Sequence, residues 1–213
     1  MGGQAVVEGF LALPPTILFL PGVGADPVFW RPVGDRLPDA WDKVYLGWPG
    51  LGHQPHDPAV QSFEDLIILA EAALGDGPVD VVAQSMGGAI ALQLALRHPQ
   101  RIRRLVLTVT AGGLDVAALG AADWRPDYAF EYPNAVPWIL DARPDYTPDL
   151  ARVTQPTLLL WGDGDPISPV AVGERLRNLL PNAELHIVRG GTHGLAVTHA
   201  AEIAPLIRAH LET

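Results

Sequence analysis

Six short apolar runs recur along the chain, at residues 16–20, 44–48, 79–83, 105–109, 157–161 and 185–188, each bounded by Gly, Pro or Asp. Most are continuous rather than alternating, the pattern of strands in a parallel sheet covered on both faces. Helical spacing of apolar residues fills the intervals. Residues 63–74 predict a helix with Ser62 as its cap and Asp65 in its first turn. Residues 89–96 are almost wholly apolar and predict a buried helix, residues 170–180 are amphipathic and stop at Pro181, and residues 200–211 predict a closing helix. Strands alternating with helices define an α/β domain, with a mainly parallel central sheet, helices on both faces and right-handed crossovers. The chain, 1–213, reads as one such domain.

One segment breaks the rhythm. Residues 111–150 hold many prolines, several aromatics and no clear strand. That is longer than an ordinary connection and predicts a short lid or cap insertion within the domain. Its Trp124, Tyr128, Phe130, Tyr132 and Trp138 are candidates to line a substrate pocket. The plainer reading has them anchoring a loop against the sheet, and the two readings are compatible.

Composition narrows the class. Of 213 residues, 48% are hydrophobic and 18% charged, which is a globular chain with enough apolar surface for a large core. The net charge of −10 argues against nucleic acids and anionic membranes as partners. The densest basic group, Arg101, Arg103 and Arg104, reads as a solvated connection just before an apolar strand. With no cysteine, the chain has no disulfide, no thiolate metal site and no cysteine nucleophile. Met1-Gly2-Gly3-Gln4-Ala5 carries no positive charge, and the first basic residue is Arg31, so a secretory leader is not expected. Val6 stands where an N-myristoylation signal needs Ser or Thr. No apolar run reaches the ~18 residues of a membrane span. A soluble, cytoplasmic protein is the expectation, and its oligomeric state is left open.

The chemistry centres on Ser85. It ends the run Val79-Asp80-Val81-Val82-Ala83-Gln84 and is followed by Met86-Gly87-Gly88 and an apolar helix. Strand, abrupt turn and helix push a serine hydroxyl clear of a sheet, and small neighbours let the two backbones approach. The plainer reading makes Ser85 a helix N-cap. Serine alone is a poor nucleophile and needs a base, which in turn needs a carboxylate to fix its tautomer. The strand-like run 157–161 is followed by Gly162-Asp163-Gly164-Asp165-Pro166. Asp165, one step further out and followed by proline, is better placed to face a histidine than Asp163, a natural turn former; the plainer reading gives both to the turn. Of seven histidines, His193 alone sits in a glycine-rich loop after a strand, in Gly190-Gly191-Thr192-His193-Gly194. His53 and His56 lie in a loop that approaches the same edge and are weaker candidates. Acyl transfer also needs amides aimed at the developing oxyanion. Met86 N–H is the natural first donor, and Val23 N–H, in Pro21-Gly22-Val23-Gly24, the candidate second. A dinucleotide-binding loop is the rival for that stretch, but Pro27 stands where its third glycine should be.

Assembled in this order, the chain resembles the α/β-hydrolase superfamily from about Thr16 to its C-terminus. Three stretches carry the likeness: Gln84-Ser85-Met86-Gly87-Gly88 with Ala95 to Ile102, Pro156 to Asp165, and Gly191-Thr192-His193. The order Ser, Asp, His is the family's. The resemblance implies Ser85 as nucleophile, His193 as general base and then acid, Asp165 as its orienting partner, and Val23 and Met86 as oxyanion donors. It also implies an enzyme that needs no cofactor or metal and acts on a small-molecule ester or acyl substrate, in the first place a small carboxylic ester. Thioester or carbon–carbon bond hydrolysis, or a lyase reaction, on the same triad is the alternative, and a ligand-binding protein without turnover is the alternative of another class. Departures from the family pattern are Ala83 for the first elbow glycine, Pro21 where many members have histidine, and Gly47 for the aspartate of D-x-P-G-x-G. The stretch before Thr16 reads as too short for the family's initial strand pair, and the lid as much shorter than a usual helical cap. These bear on pocket shape more than on the three side chains.

Overall fold

A computed structural model describes residues 16–213; the stretch from Met1 to Val6, on which the leader and lipidation readings rest, lies outside it. Its strands are β1 (Thr16–Leu20), β2 (Lys43–Tyr45), β3 (Val79–Gln84), β4 (Ile102–Thr108), β5 (Thr157–Gly162) and β6 (Ala183–Val188). They form one all-parallel sheet in the order β2-β1-β3-β4-β5-β6. The helices are α1 (Arg31–Gly34), α2 (Phe63–Ala72), α3 (Met86–Arg97), α4 (Arg125–Glu131), α5 (Val170–Leu179), α6 (Leu195–Thr198) and α7 (Ala200–Glu212). No helix among the described residues is long and apolar enough to cross a membrane.

The continuous apolar runs behave as their pattern requires. Every residue of β3 and β5 is buried, and the edge strand β6 alternates instead. Helix α3 buries eight residues, six in a row from Gly87 to Leu92 and then Leu94 and Ala95. Helix α2 starts where Ser62 accepts from Asp65 N–H at 3.3 Å, while Asp65 accepts from Gln61 N–H at 2.9 Å. Three tryptophans, Trp30, Trp48 and Trp161, are fully buried. Each indole N–H is satisfied by a carbonyl, of Leu20, Pro21 and Ser168 respectively, so the rings enter the core without an orphaned donor.

The basic group at 101–104 is not a solvated connection. Strand β4 begins at Ile102, and Arg103 projects from it to grip the buried Asp80 of β3 through two nitrogens, Nε at 3.0 Å and Nη2 at 2.5 Å. Arg103 also caps the end of α7 by donating to Leu211 O at 2.7 Å. Arg101 folds onto the carbonyls of Leu74, Gly75 and Gly77. The charges that hid this strand are spent on the sheet's floor. Burial raises the Asp80 carboxyl above its ordinary range, and Arg103 works against that rise. Without Arg103, burial is opposed by Arg104 alone, so the carboxyl's folded-state pKa climbs further above its unfolded value. A carboxyl raised in this way costs nothing below its unfolded pKa and costs fully above its folded pKa. Arg103→Met therefore destabilises most at neutral pH, by about 2 kcal/mol, less than a fully buried pair because the guanidinium is one-third exposed. Urea unfolding at several pH values checks this: the deficit relative to wild type narrows as pH falls toward the carboxylate range.

Sheet order places the site. From β1 the chain moves outward to β2, then returns past β1 to β3 and proceeds the other way. The crevice at the carboxyl ends of β1 and β3 is thus a topological switch point, where open α/β sheets bind ligands.

Candidate active site

Ser85 follows β3 directly at that crevice, with φ 52° and ψ −121°. A positive φ on a residue with a Cβ is strained and persists only where the surroundings impose it. Here Ser85 N–H donates to Thr108 O at 3.0 Å, and Ser85 O accepts from Gly88 N–H at 3.0 Å and from the Thr110 hydroxyl. Small residues permit the bend. A Cβ on Gly87 would stand 2.6 Å from both Leu20 O and Pro21 O, and one on Gly22 would stand 2.9 Å from Ser85 Cβ. Ala83, in place of the first elbow glycine, is fully buried and accommodated. The side chain of Ser85 makes no capping bond to α3. Its Oγ lies 2.9 Å from His193 Nε2 instead.

His193 reaches Ser85 from the loop after β6, two strands beyond β4 in the sheet. Two loops are laced together to bring it there. Asp163 accepts from Gly190 N–H at 2.6 Å, and Gly164 N–H donates to Gly191 O at 2.9 Å. Gly162 and Gly191 pack backbone to backbone, so a Cβ on Gly191 would stand 2.9 Å from Gly162 Cα. Asp163 is thereby the turn former, and Asp165 is the acid that turns inward. Asp165 is 4% exposed; its Oδ2 lies 2.8 Å from His193 Nδ1, and its Oδ1 accepts from Ile167 N–H at 2.9 Å. With the ring hydrogen on Nδ1, His193 donates to Asp165 and presents a lone pair on Nε2 to the Ser85 hydroxyl.

Val23, Ser85, Met86 and His193 all face one cavity of about 590 Å³. Among the described residues neither Val23 N–H nor Met86 N–H has a hydrogen-bond partner. His53 and His56 do not line this cavity; the His53 ring sits edge-on to Tyr132.

The aromatic candidates are corrected by the structure. Only Trp124 lines the cavity. Tyr128 is buried and turned toward the loop after β1, where its hydroxyl meets Val23 O and Gly52 N–H. Tyr132 packs on Tyr128 and His53, and Trp138 packs against the core. Phe130 is 91% exposed. Helical geometry explains the split: Trp124 and Tyr128 are four residues apart on one face, and Phe130 projects from the opposite side of α4. The apolar part of the wall includes Ala111, Gly113, Leu114, Ala117, Ala121 and Ile139, while Asp115, Asp123, Arg125, Arg143 and Asp145 also border the cavity. Tyr146 supports it from behind, packed over Gly113, its phenol pushed up to about 12 by burial.

Two supporting residues escaped the sequence reading. Gln84, buried next to Ser85, donates from Nε2 to His193 O at 3.1 Å and so ties the serine turn to the histidine loop. A polar residue closing the apolar run Val81-Val82-Ala83 just before Ser85 is the signal that marks it. Thr110 accepts from Gly112 N–H at 2.9 Å while holding Ser85 O, and nothing in its local pattern distinguishes it.

The fold and the crevice it builds define a class: the chain belongs to the α/β-hydrolase fold family, whose model matches residues 15–137. A second model, described as a TAP-like protein, matches residues 133–213. Among curated relatives, a pimeloyl-[acyl-carrier protein] methyl ester esterase of Neisseria meningitidis serogroup C is 30% identical, with 92% of this chain and 93% of that protein aligned. A poly(3-hydroxyalkanoate) depolymerase of Ectopseudomonas oleovorans is 29% identical over 98% of this chain and 88% of its own. Among solved structures, an α/β hydrolase from a sediment metagenome of the Mar Chica lagoon superposes with a TM-score of 0.76 at 21% identity, covering 93% of this chain and 90% of that one.

Proposed function

We propose that the protein is a serine esterase that cleaves small carboxylic esters through an acyl-enzyme. Ser85 Oγ attacks the ester carbonyl as its proton passes to His193 Nε2, and Asp165 stabilises the imidazolium that forms. The carbonyl oxygen becomes an oxyanion and moves toward the Val23 and Met86 amides, which have no competing partner among the described residues. His193 then gives its proton to the departing alcohol. A water, deprotonated by the same nitrogen, releases the acid and restores Ser85. All atoms and protons in the cycle come from substrate, water and these residues, so the reaction calls for no cofactor. The observation that carries this reading is the unbroken relay from Asp165 through His193 to a strained serine, at 2.8 and 2.9 Å.

Residues 111–150 act in this reading as a short lid over the acyl group. They supply most of the apolar lining, which suits an uncharged acyl chain of short to medium length. Two relatives whose names specify ester or polyester cleavage support the bond type.

Steady-state kinetics on p-nitrophenyl esters of graded chain length, beside the matching thioesters, tests the proposal. The expected result is ester turnover with kcat/KM peaking at short to medium acyl chains. Turnover of thioesters alone would move the bond, and a folded protein that turns over neither would favour a ligand-binding role for the cavity.

A further inference from the structure

The loop that carries the Val23 amide is held by its carbonyls, one after another. Trp30 Nε1–H donates to Leu20 O at 3.0 Å, Trp48 Nε1–H to Pro21 O at 2.8 Å, and Ala25 N–H to Gly22 O at 3.0 Å. The next carbonyl, Val23 O, accepts from the hydroxyl of Tyr128 at 3.2 Å, and that hydroxyl's oxygen in turn accepts from Gly52 N–H at 2.9 Å. Val23 is flanked by Gly22 and Gly24, which leave the local backbone little steric restraint of its own. Its orientation therefore depends on what grips it from outside.

We propose that Tyr128 is a positioning residue for the oxyanion hole. Val23 N–H shares a planar peptide with Gly22 O, which Ala25 N–H holds on one side; by fixing Val23 O in the following peptide, the phenol holds the other side of residue 23 and so limits the tilt of Val23 N–H. This rests on the esterase reading above. Unlike the two tryptophans, Tyr128 reaches the loop from the inserted segment, 105 residues away in sequence. It is anchored there by Trp124, edge-on at 5.5 Å, and by Tyr132 at 4.9 Å. Trp124 lines the substrate cavity, so one short helix both touches the acyl site and sets an oxyanion donor. Burial raises the phenol above its ordinary pKa of 10, which keeps it a donor throughout the working pH range.

The test is Tyr128→Phe, which keeps the ring and removes the bond. Losing an oxyanion donor outright costs about 10²–10³ in kcat, and a misdirected one less, so a fall of about 10–100-fold is expected with KM within about twofold. Affinity for a trifluoromethyl ketone, which forms a tetrahedral oxyanion on Ser85, falls by the same factor. Phe130→Ser, on the exposed face of the same helix, leaves both unchanged. Should Tyr128→Phe fail to fold, 3,5-difluorotyrosine at position 128 replaces it. Its kcat is expected to fall as the acidified phenol ionises, at pH values where the wild-type profile is flat. Wild-type kcat and ketone affinity in Y128F, a loss confined to KM, or a flat difluorotyrosine profile overturns the proposal. A wild type inert to both esters and ketone removes the esterase reading and this one together; an active wild type matched by Y128F removes this one alone.

Discussion

Ser85→Ala lowers kcat for an ester substrate by about 10⁶-fold, leaving the slow background that the cavity and amides provide alone. The expectation follows from position rather than from residue type. At φ 52°, with Oγ 2.9 Å from His193 Nε2 and no capping bond to α3, this hydroxyl is placed as the proposed mechanism requires of its nucleophile. A loss of 10⁶ is about 8 kcal/mol of transition-state stabilisation. The folded state loses little, because the hydroxyl supports no backbone group, and relief of a polar atom offsets the lost bond. Thermal unfolding of S85A near the wild-type midpoint separates the two effects, and single-turnover kinetics with active-site titration guards against trace wild-type enzyme.

His193→Ala costs nearly as much as the serine change, and combining the two costs no more than either alone. Side chains that act as a unit are non-additive, since a nucleophile without its base is already lost. Independent contributions would instead multiply. Among the described residues the ring makes two polar contacts, one to Asp165 and one to Ser85, and its loop is held separately by Gln84, Gly190 and Gly191. The variant is therefore expected to keep the loop in place. Its defect should appear in kcat, with substrate binding almost unchanged.

The strands were legible because both faces of a parallel sheet are covered, which writes each one as an uninterrupted apolar run. Runs 16–20 and 157–161 fall within one residue of β1 and β5. Strand β4 starts three residues before its apolar run, because Arg103 and Arg104 lie in it, with Arg103 satisfied by a buried carboxylate in the adjacent strand. Strand β2 ends at Tyr45, before its apolar run does, because Gly47-Trp48-Pro49 turns the chain away. Helices α1, α4 and α6 are four to seven residues long, too short for a period to declare itself. Ser85, Asp165 and His193 could be picked out because each sits just past a strand, and parallel strands bring such positions to one edge. The cavity wall was not legible. Pocket lining depends on which way each side chain of the inserted segment turns: Tyr128, Tyr132 and Trp138 turn to the protein and Phe130 to solvent, while Trp124 and several alanines border the cavity. The role of Tyr128 is invisible for the same reason: a hydrogen bond spanning 105 residues leaves no local pattern.

The claim on which the rest depends is that His193 activates Ser85 as a nucleophile. Intact-mass spectrometry after incubation with a fluorophosphonate measures this directly. The account predicts one adduct per chain, mapped to Ser85 by peptide sequencing, and almost none in a folded His193→Ala variant over the same time. A folded wild type that stays unlabelled, or a His193→Ala variant labelled as fast as wild type, would contradict it.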